Sequence, residues 1–221
     1  MNLYDVYVNA VSFSAGCAST AMMLTPMLVC KDIVKKKTSD HVNLSTFVGA
    51  LFRSSLFCRQ GFILNLRTMM IVHGLGLLIN TFYLMIYWYY SNKKNVVITT
   101  VFKTALMGAV LLSYSLIESS DLVKTRFPIM VSIIHLSLIG WPLLSVRETI
   151  RTKKWSGHPK PILINSIVLC ILWLLYSINI GNPIIFTQCS VALILSSTQL
   201  GLWAIYPAEK IQHNKMEKKN E

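Results

Sequence analysis

Long apolar runs separated by short polar segments make up almost the whole chain. Each run is close to the roughly 20 residues that an α-helix needs to cross about 30 Å of hydrocarbon. The pattern therefore predicts an all-α membrane protein with seven transmembrane helices. The predicted spans are residues 6–29, 43–63, 68–90, 96–117, 127–146, 161–180 and 183–206.

Residues 26–90 and 142–206 are two copies of one pattern, and they align without a gap. Each copy contains the end of one apolar run, a basic loop and two further apolar runs. This is the pattern of a duplicated three-helix unit, and internal symmetry of this kind is common among transporters. A second unit in the same orientation as the first requires one extra crossing between them, which the run at 96–117 supplies.

We therefore predict two parallel three-helix repeats joined by a linker helix, a 3+1+3 arrangement. Seven crossings leave no room for a separate soluble domain. The predicted limits are 1–92 for the first bundle, 93–122 for the linker helix, 123–208 for the second bundle and 209–221 for a cytoplasmic tail.

Composition and charge agree with this prediction, since 53% of the 221 residues are hydrophobic and only 14% are charged. The net charge of +12 would suit a nucleic-acid partner, but most Lys and Arg residues lie at alternate ends of the spans. The positive-inside rule makes these ends cytoplasmic, which puts the N-terminus outside or in a lumen and the C-terminus in the cytoplasm. We expect a multi-pass protein of the plasma membrane, the Golgi or both, in contact with lipid and without a nucleic-acid partner.

Pro26 lies near the inner end of the first span, and Pro142 has the same position in the second copy. A proline removes a backbone donor and can kink a helix. Its recurrence at one register favours a hinge, although a proline can also simply end a span. Pro161 opens the sixth span, where the first copy has Ser45.

The third helix of each unit carries a stripe of small and polar residues. Their spacing keeps them on one helical face, with Leu, Ile and Met filling much of the remainder. The stripes favour faces that line a bundle interior, although close helix packing through small residues would give a similar pattern. The stripes are His73, Gly76, Asn80, Tyr83 and Tyr87 in the first copy, and Cys189, Ala192, Ser196, Gln199 and Trp203 in the second.

Charged and titratable residues inside the predicted spans are few, and none of them is Asp or Glu. Carriers coupled to protons or sodium commonly need an intramembrane carboxylate, so facilitated diffusion is the simpler expectation. His73 and His135 temper this expectation, because an imidazole can carry a proton near neutral pH. Arg53 must either face a polar interior or extend its charge to the membrane surface.

Several of these motifs resemble those of the SWEET sugar transporter family, of the MtN3/saliva type, and the resemblance covers nearly the whole chain. The motifs are Thr25-Pro26 and Trp141-Pro142 before the basic loops, Trp173-Leu-Leu-Tyr176, and the stripe from Gln199 to Tyr206-Pro207. The resemblance implies a facilitative uniporter of mono- or disaccharides that works by alternating access. It also implies a homo-oligomer.

The same resemblance implies a sugar pocket between the two units, with an aromatic platform from each second helix and an asparagine from each third helix. By register, the platform positions are Phe57 and Trp173. The asparagine positions hold His73 and Cys189, so this chain departs from the family at both.

A sugar presents C–H faces and a rim of hydroxyl groups, so its site pairs flat rings with hydrogen-bonding groups. Asn80 and Ser196 are the candidate hydrogen-bonding residues beside the two platforms, with Gln199 as a further one. We expect side chains near Gln60 and Tyr176 to close the outer mouth of the pocket.

Other classes of protein share parts of this pattern. A seven-helix receptor has the same helix count, but the repeat argues against it. The Pro-Gln dipeptide of PQ-loop amino-acid transporters is absent, because Met27 and Leu143 follow the two prolines. Catalytic motifs are also absent, so we predict neither an enzyme nor a cofactor or metal site. A non-transporting membrane adaptor, or a transporter of another small solute with the same fold, is the alternative.

Overall fold

The computed structural model describes residues 3–155 and 160–206, and within these ranges the chain is helical without a strand. The predicted all-α fold is therefore confirmed. The helices are α1 (Leu3–Leu24), α2 (Pro26–Lys36), α3 (Leu44–Ile63), α4 (Arg67–Tyr89), α5 (Lys94–Ile117), α6 (Ser120–Gly140), α7 (Val146–Thr152), α8 (Lys160–Asn179) and α9 (Pro183–Ile205), with a 3-10 helix at Trp141–Ser145 between α6 and α7.

The first and fifth predicted spans are each broken near their basic end. Thr25 separates α1 from α2, which begins at Pro26, and the 3-10 helix around Pro142 separates α6 from α7. A proline has no N–H to donate to the preceding turn, so the regular hydrogen-bond ladder is interrupted at both places. Both breaks lie at the register that the sequence indicated.

Six helices in the described ranges are long and apolar enough to cross a membrane. The second predicted span, α3, does not reach that level of hydropathy, and it carries both Arg53 and Arg59. It nevertheless runs for 20 residues and packs against α4, α5 and α6. Tertiary packing therefore accounts for the position of α3 better than its own hydropathy does.

Two helices extend beyond the spans that hydropathy predicts. The fifth span was expected to begin at residue 127, but α6 begins at Ser120 and continues through Pro128. The first was expected to end at residue 29, but α2 continues to Lys36. Hydropathy marks only the apolar part of a helix, whereas backbone hydrogen bonds continue into polar turns at either end.

The repeat is visible in the backbone itself. Adding 116 to the limits of α3 and α4 gives the limits of α8 and α9, residue for residue. The loops repeat as well, since Ser39 N donates to the Tyr90 carbonyl at 3.2 Å, and Trp155 N donates to the Tyr206 carbonyl at 3.0 Å. The two units therefore share one fold down to individual loop hydrogen bonds.

Left-handed backbone conformations recur at the same register. Lys37 and Lys153 follow α2 and α7 with φ of 53° and 54°. Asn65 and Gly181 connect the second and third helices of their units with φ of 54° and 63°. Asn and Gly adopt this region at low cost, which suits the tight turn between antiparallel helices.

The two units meet through a crossed pair of contacts. Within the units, α4 packs against α1 and α3, as α9 packs against α6 and α8. Between the units, α1 packs against α8 and α3 packs against α6. Interchanging the two units turns each of these contacts into the other. The units are therefore parallel and related by a pseudo-two-fold axis between them.

The linker helix α5 is fastened to the first unit. It packs against α3, where Arg59 Nε donates to Ser115 Oγ at 2.8 Å and Arg59 Nη2 donates to the Ser115 carbonyl at 3.0 Å. These bonds satisfy the guanidinium of one of the two α3 arginines. Arg53 has no such bond among the described residues.

The turn between α5 and α6 is fixed by Glu118. Its carboxylate accepts hydrogen bonds from Tyr114 Oη at 2.9 Å, from the Ser119 backbone N at 3.1 Å and from Arg126 Nη1 at 3.0 Å. The hydrogen bond from Tyr114, followed by those from Ser119 and Arg126, lowers the pKa of Glu118 below its ordinary value. The carboxylate therefore stays ionised at neutral pH and holds the turn.

Gly61 of α3 packs closely against α4. A Cβ on this residue would lie 3.0 Å from the Met70 backbone nitrogen and 3.3 Å from Met69 Cβ. Because a backbone atom cannot move aside as a side chain can, we expect Gly61→Ala to lower the free energy of unfolding by about 1 to 3 kcal/mol. Thermal unfolding of the purified protein in detergent measures the effect.

Gly74→Ala is the matched control, since a Cβ at Gly74 meets nothing within 4 Å. It should leave the melting temperature unchanged or raise it slightly, because alanine favours the helix. Equal melting temperatures for the two variants would contradict the close packing of α3 against α4.

Candidate functional site

A cavity of about 580 Å³ lies between the two units. Residues of α1, α3, α4, α6, α8 and α9 line it, so each unit contributes all three of its spanning helices. Small-molecule sites in proteins range from about 300 to 1,000 Å³. The cavity is therefore large enough for a small solute, and its walls require both repeats.

The residues that the sequence proposed for substrate binding converge on this cavity. They come from four helices and are far apart along the chain. All six line the cavity: Phe57, His73, Asn80, Trp173, Cys189 and Ser196.

The two platform rings occupy equivalent places in the two units. Phe57 stacks on His73 with ring centroids 4.9 Å apart, and it meets His135 edge-on at 5.0 Å. Trp173 Nε1 donates a hydrogen bond of 2.9 Å to Ser19 Oγ. His135 and Ser19 are 116 residues apart, so each ring contacts the same position of the first helix in the opposite unit.

Hydrogen-bonding groups surround the rings. The Asn80 amide group donates to the Gly76 carbonyl at 2.7 Å and to Ser54 Oγ at 3.3 Å. These bonds use its Nδ2 and fix the side chain, while its Oδ1 has no protein partner among the described residues. An oriented amide oxygen of this kind can accept a hydrogen bond from a hydroxyl group of a solute.

Two histidine nitrogens at the cavity lack a partner. The Nδ1 atoms of His73 and His135 are buried, and neither has a hydrogen bond within the described part of the chain. Both rings line the cavity beside Phe57. Buried polar atoms usually find a partner, so these two carry an unmet hydrogen-bonding capacity beside the cavity. The described residues contain no group of three His, Cys, Asp or Glu that could hold a metal ion.

The cavity extends to the end of the helices that carries most of the basic residues. Its lining there includes Pro26, one of the predicted hinges, together with Thr25, Ser45 and Thr46. The three polar residues are exposed. The other two proposed hinges are elsewhere: Pro142 lies in the 3-10 helix and Pro161 in the first turn of α8, and neither lines the cavity.

The opposite end of the cavity is closed. Gln60 and Tyr176, which the sequence assigned to the outer mouth, are 0% and 4% exposed and do not line the cavity. Both the amide nitrogen and the amide oxygen of Gln60 are buried without a partner among the described residues. Packing around Tyr176, whose ring meets Trp173 edge-on at 5.3 Å, separates the platform from that end.

Sequence reasoning left two important lining residues undecided. Arg53 and His135 face the cavity from α3 and α6. Arg53 precedes Phe57 by one helical turn, and this spacing was a signal that the two share a face. The remaining polar lining, which includes Asn165, Ser166 and Gln188, carries no motif that distinguishes it from the other polar residues of the spans.

Comparison with known families gives a match over most of the chain. A model of the family described as "Sugar efflux transporter for intercellular exchange" matches residues 9–95 and 125–211. The two matched segments differ by 116 residues, which is the offset of the internal repeat. Each three-helix unit is therefore matched separately, and α5 lies between the matches.

Relatives with similar sequences cover nearly the full length. The Sugar transporter SWEET1 of Drosophila pseudoobscura pseudoobscura is 24% identical over 200 residues, which are 89% of this chain and 88% of the relative. The Sugar transporter SWEET1 of Dictyostelium discoideum is 21% identical over 207 residues, which are 90% and 93% of the two chains. The Bidirectional sugar transporter SWEET15 of Oryza sativa subsp. indica is 22% identical, over 87% of this chain and 62% of the relative.

A solved structure has the same fold. The 3.7 Å structure of a eukaryotic SWEET transporter superposes with a TM-score of 0.79, covering 93% of this chain and 99% of the other, at 19% identity. The family match, the full-length relatives and the shared arrangement of helices agree with one another. This chain belongs to the MtN3/saliva family of sugar transporters, the SWEET family that its sequence motifs indicated.

Proposed function

We propose that this protein moves small sugars across a membrane, down their concentration gradient, by exposing the cavity to one side at a time. The observation that carries the proposal is a solute-sized cavity between two parallel units, reached from one end and closed at the other. Family membership supports the choice of sugars as the class of solute. An aromatic ring from each unit beside oriented polar groups suits the two chemical faces of a sugar.

The transport cycle we infer is a rocking of one unit against the other. The crossed contacts of α1 with α8 and of α3 with α6 would be remade at the opposite end of the bundle as the units rotate. Pro26 lies at the break between α1 and α2 beside the cavity, where bending requires the loss of few hydrogen bonds. The unpaired amide of Gln60 would gain water when its end opens, which reduces the free-energy difference between the two states.

Facilitated transport suits the lining of the cavity. No Asp or Glu is among the described residues that line it. A coupled carrier needs a group that binds the driving ion and alters the substrate site, and carboxylates commonly do this. The solute gradient alone is therefore our proposed driving force.

We further propose the membrane setting and the assembly. The basic ends of the helices would face the cytoplasm, with the N-terminus outside or in the lumen of the Golgi and the C-terminus inside. Plasma membrane, Golgi or both are the proposed locations. Residues 1–92 and 123–208 would act as the moving bundles and 93–122 as their linker, within a homo-oligomer. The proposed tail, residues 209–221, lies outside the described residues.

A non-transporting adaptor is the second candidate function. The specific observation in its favour is that His73 and Cys189 occupy the positions that hold asparagine in the family. A thiol is a weak hydrogen-bond partner for a sugar hydroxyl. Flux into proteoliposomes distinguishes the two, because an adaptor gives none.

We predict that Trp173→Ala abolishes sugar flux while the protein stays folded. Removing the indole deletes the stacking surface of one wall and the hydrogen bond to Ser19 that joins α8 to α1. Counterflow of radiolabelled sugar in proteoliposomes measures the flux, and size-exclusion chromatography in detergent checks the fold.

Trp88→Ala is the matched control for this loss. Trp88 is 42% exposed near the end of α4 and does not line the cavity. The control should retain the flux of the unchanged protein. Undiminished flux in Trp173→Ala would remove the indole from the transport site.

We also predict unequal access to the two ends of the cavity. In a background without its natural cysteines, Ser166→Cys should react rapidly with a water-soluble thiol reagent, because Ser166 lines the cavity. Gln60→Cys should react slowly, because Gln60 is fully buried. Adding a transported sugar should speed the second reaction by populating the opposite state, and mass spectrometry of the labelled protein measures both rates.

Fast labelling of Gln60→Cys without sugar would contradict the closed end. Labelling of Gln60→Cys that no sugar changes, in a protein that transports, would contradict the exchange of access.

A further inference from the structure

The cavity contains one charged side chain among its described lining residues, the guanidinium of Arg53. An arginine stays protonated at any physiological pH. Arg53 lies one helical turn before Phe57 on α3 and lines the cavity together with Phe57 and His135. The charge therefore lies at the solute site itself and not at the mouth of the cavity.

No carboxylate within residues 3–155 and 160–206 neutralises this charge. Each ion pair found in the described ranges involves other residues, and the cavity lining there has no Asp or Glu. A neighbouring arginine of the same helix, Arg59, is satisfied by Ser115. A charge within a membrane-embedded bundle is costly unless it faces water or pairs with an opposite charge. Arg53 lines the cavity, where water can reach it, and its charge is available to pair with an anionic solute.

The charge is also a departure from the symmetry of the fold. The position of Arg53 in the second unit is Leu169, which likewise lines the cavity. This position is therefore cationic in one unit and apolar in the other. A neutral sugar can accept hydrogen bonds from Arg53 only through its hydroxyl groups, whereas an anionic sugar can add an ion pair at its charged end.

A carboxylate fits this site better than a phosphate. The guanidinium presents a planar fork of N–H donors that matches the two oxygens of a carboxylate. One arginine balances the single charge of a carboxylate. A sugar phosphate carries nearly two charges at neutral pH, and the described cavity lining contains no second Lys or Arg to balance them.

We propose that the preferred solute of this protein is a sugar acid of the hexuronate class, whose carboxylate pairs with Arg53 while its ring lies against the aromatic platform. The proposal rests on the proposed transport function and narrows its substrate. His73 and His135, whose rings contact Phe57, line the cavity beside the same platform. Leu169 and Trp173 of the second unit offer an apolar surface to the uncharged part of the sugar.

The test uses the full-length protein in liposomes of phosphatidylcholine and measures counterflow of radiolabelled glucuronate, glucose and glucose 6-phosphate. We expect glucuronate to enter at least about tenfold faster than the other two at equal, subsaturating concentration. Because a hexuronate carries one negative charge, a potassium diffusion potential that is positive inside should accelerate its uptake. The same potential should leave glucose uptake unchanged.

Arg53→Gln removes the charge and keeps a polar side chain. We expect it to lower glucuronate uptake by about ten- to a hundredfold and to leave glucose uptake within about twofold, because a charge-assisted hydrogen bond is lost only for the acid. Arg53→Lys should retain part of the glucuronate flux, since it keeps the charge but not the fork. Arg67→Gln is the matched control, because Arg67 is exposed at the start of α4 and outside the cavity lining.

The outcomes separate this inference from the function on which it rests. If glucose moves and Arg53→Gln lowers the uptake of glucose and glucuronate equally, Arg53 is structural and the inference is overturned. Faster uptake of glucose or of glucose 6-phosphate than of glucuronate overturns it as well. If a monodisperse protein moves none of the three, the proposed transport function fails first.

Discussion

The architecture depends on the crossed contact between the two units, in which the second helix of each unit packs against the first helix of the other. Phe57 with His135 forms one of these contacts, and Trp173 with Ser19 forms the other. The cavity does not belong to either unit alone, because three spanning helices from each unit line it. Close packing at these two places creates the cavity and also separates it from one end of the bundle. Any movement that opens that end must break and remake both contacts.

Symmetry of the backbone and asymmetry of the side chains have different consequences here. Helix limits, left-handed residues and loop hydrogen bonds repeat at an offset of 116 residues, so the two units are mechanically alike. At the cavity the repeat-related positions differ in chemistry: Arg53 corresponds to Leu169, and His73 corresponds to Cys189. Two units with the same backbone suit the rocking movement that we propose. Because the lining side chains differ between the units, the cavity can bind a solute in one preferred orientation. A symmetric lining would bind it equally in two.

Burial of unpaired polar groups limits how stable this state is. The Gln60 amide and the two histidine Nδ1 atoms lack partners among the described residues. Each such group costs on the order of 1 to 3 kcal/mol. In a rigid protein this would be a defect, but in the cycle that we propose it would keep the energies of the two states close enough to interconvert. The apolar clusters of α2 to α6 pack the first unit and its contact with α6, and they offset this cost.

The sequence alone determined the helical class, the register of the repeat and the two proline breaks, because hydropathy, composition and internal similarity are properties of the chain in one dimension. Phe57 and Trp173 were proposed as platform residues from the family resemblance, and they stay a prediction. It left the limits of α6 several residues short, since backbone hydrogen bonds do not stop where apolar residues do. Tertiary structure decided that Arg53 faces the cavity and that Arg59 does not. Helical periodicity shows which residues share a face, but only the packing of α3 against α5 and α6 determines which face meets a neighbour and which meets the open space.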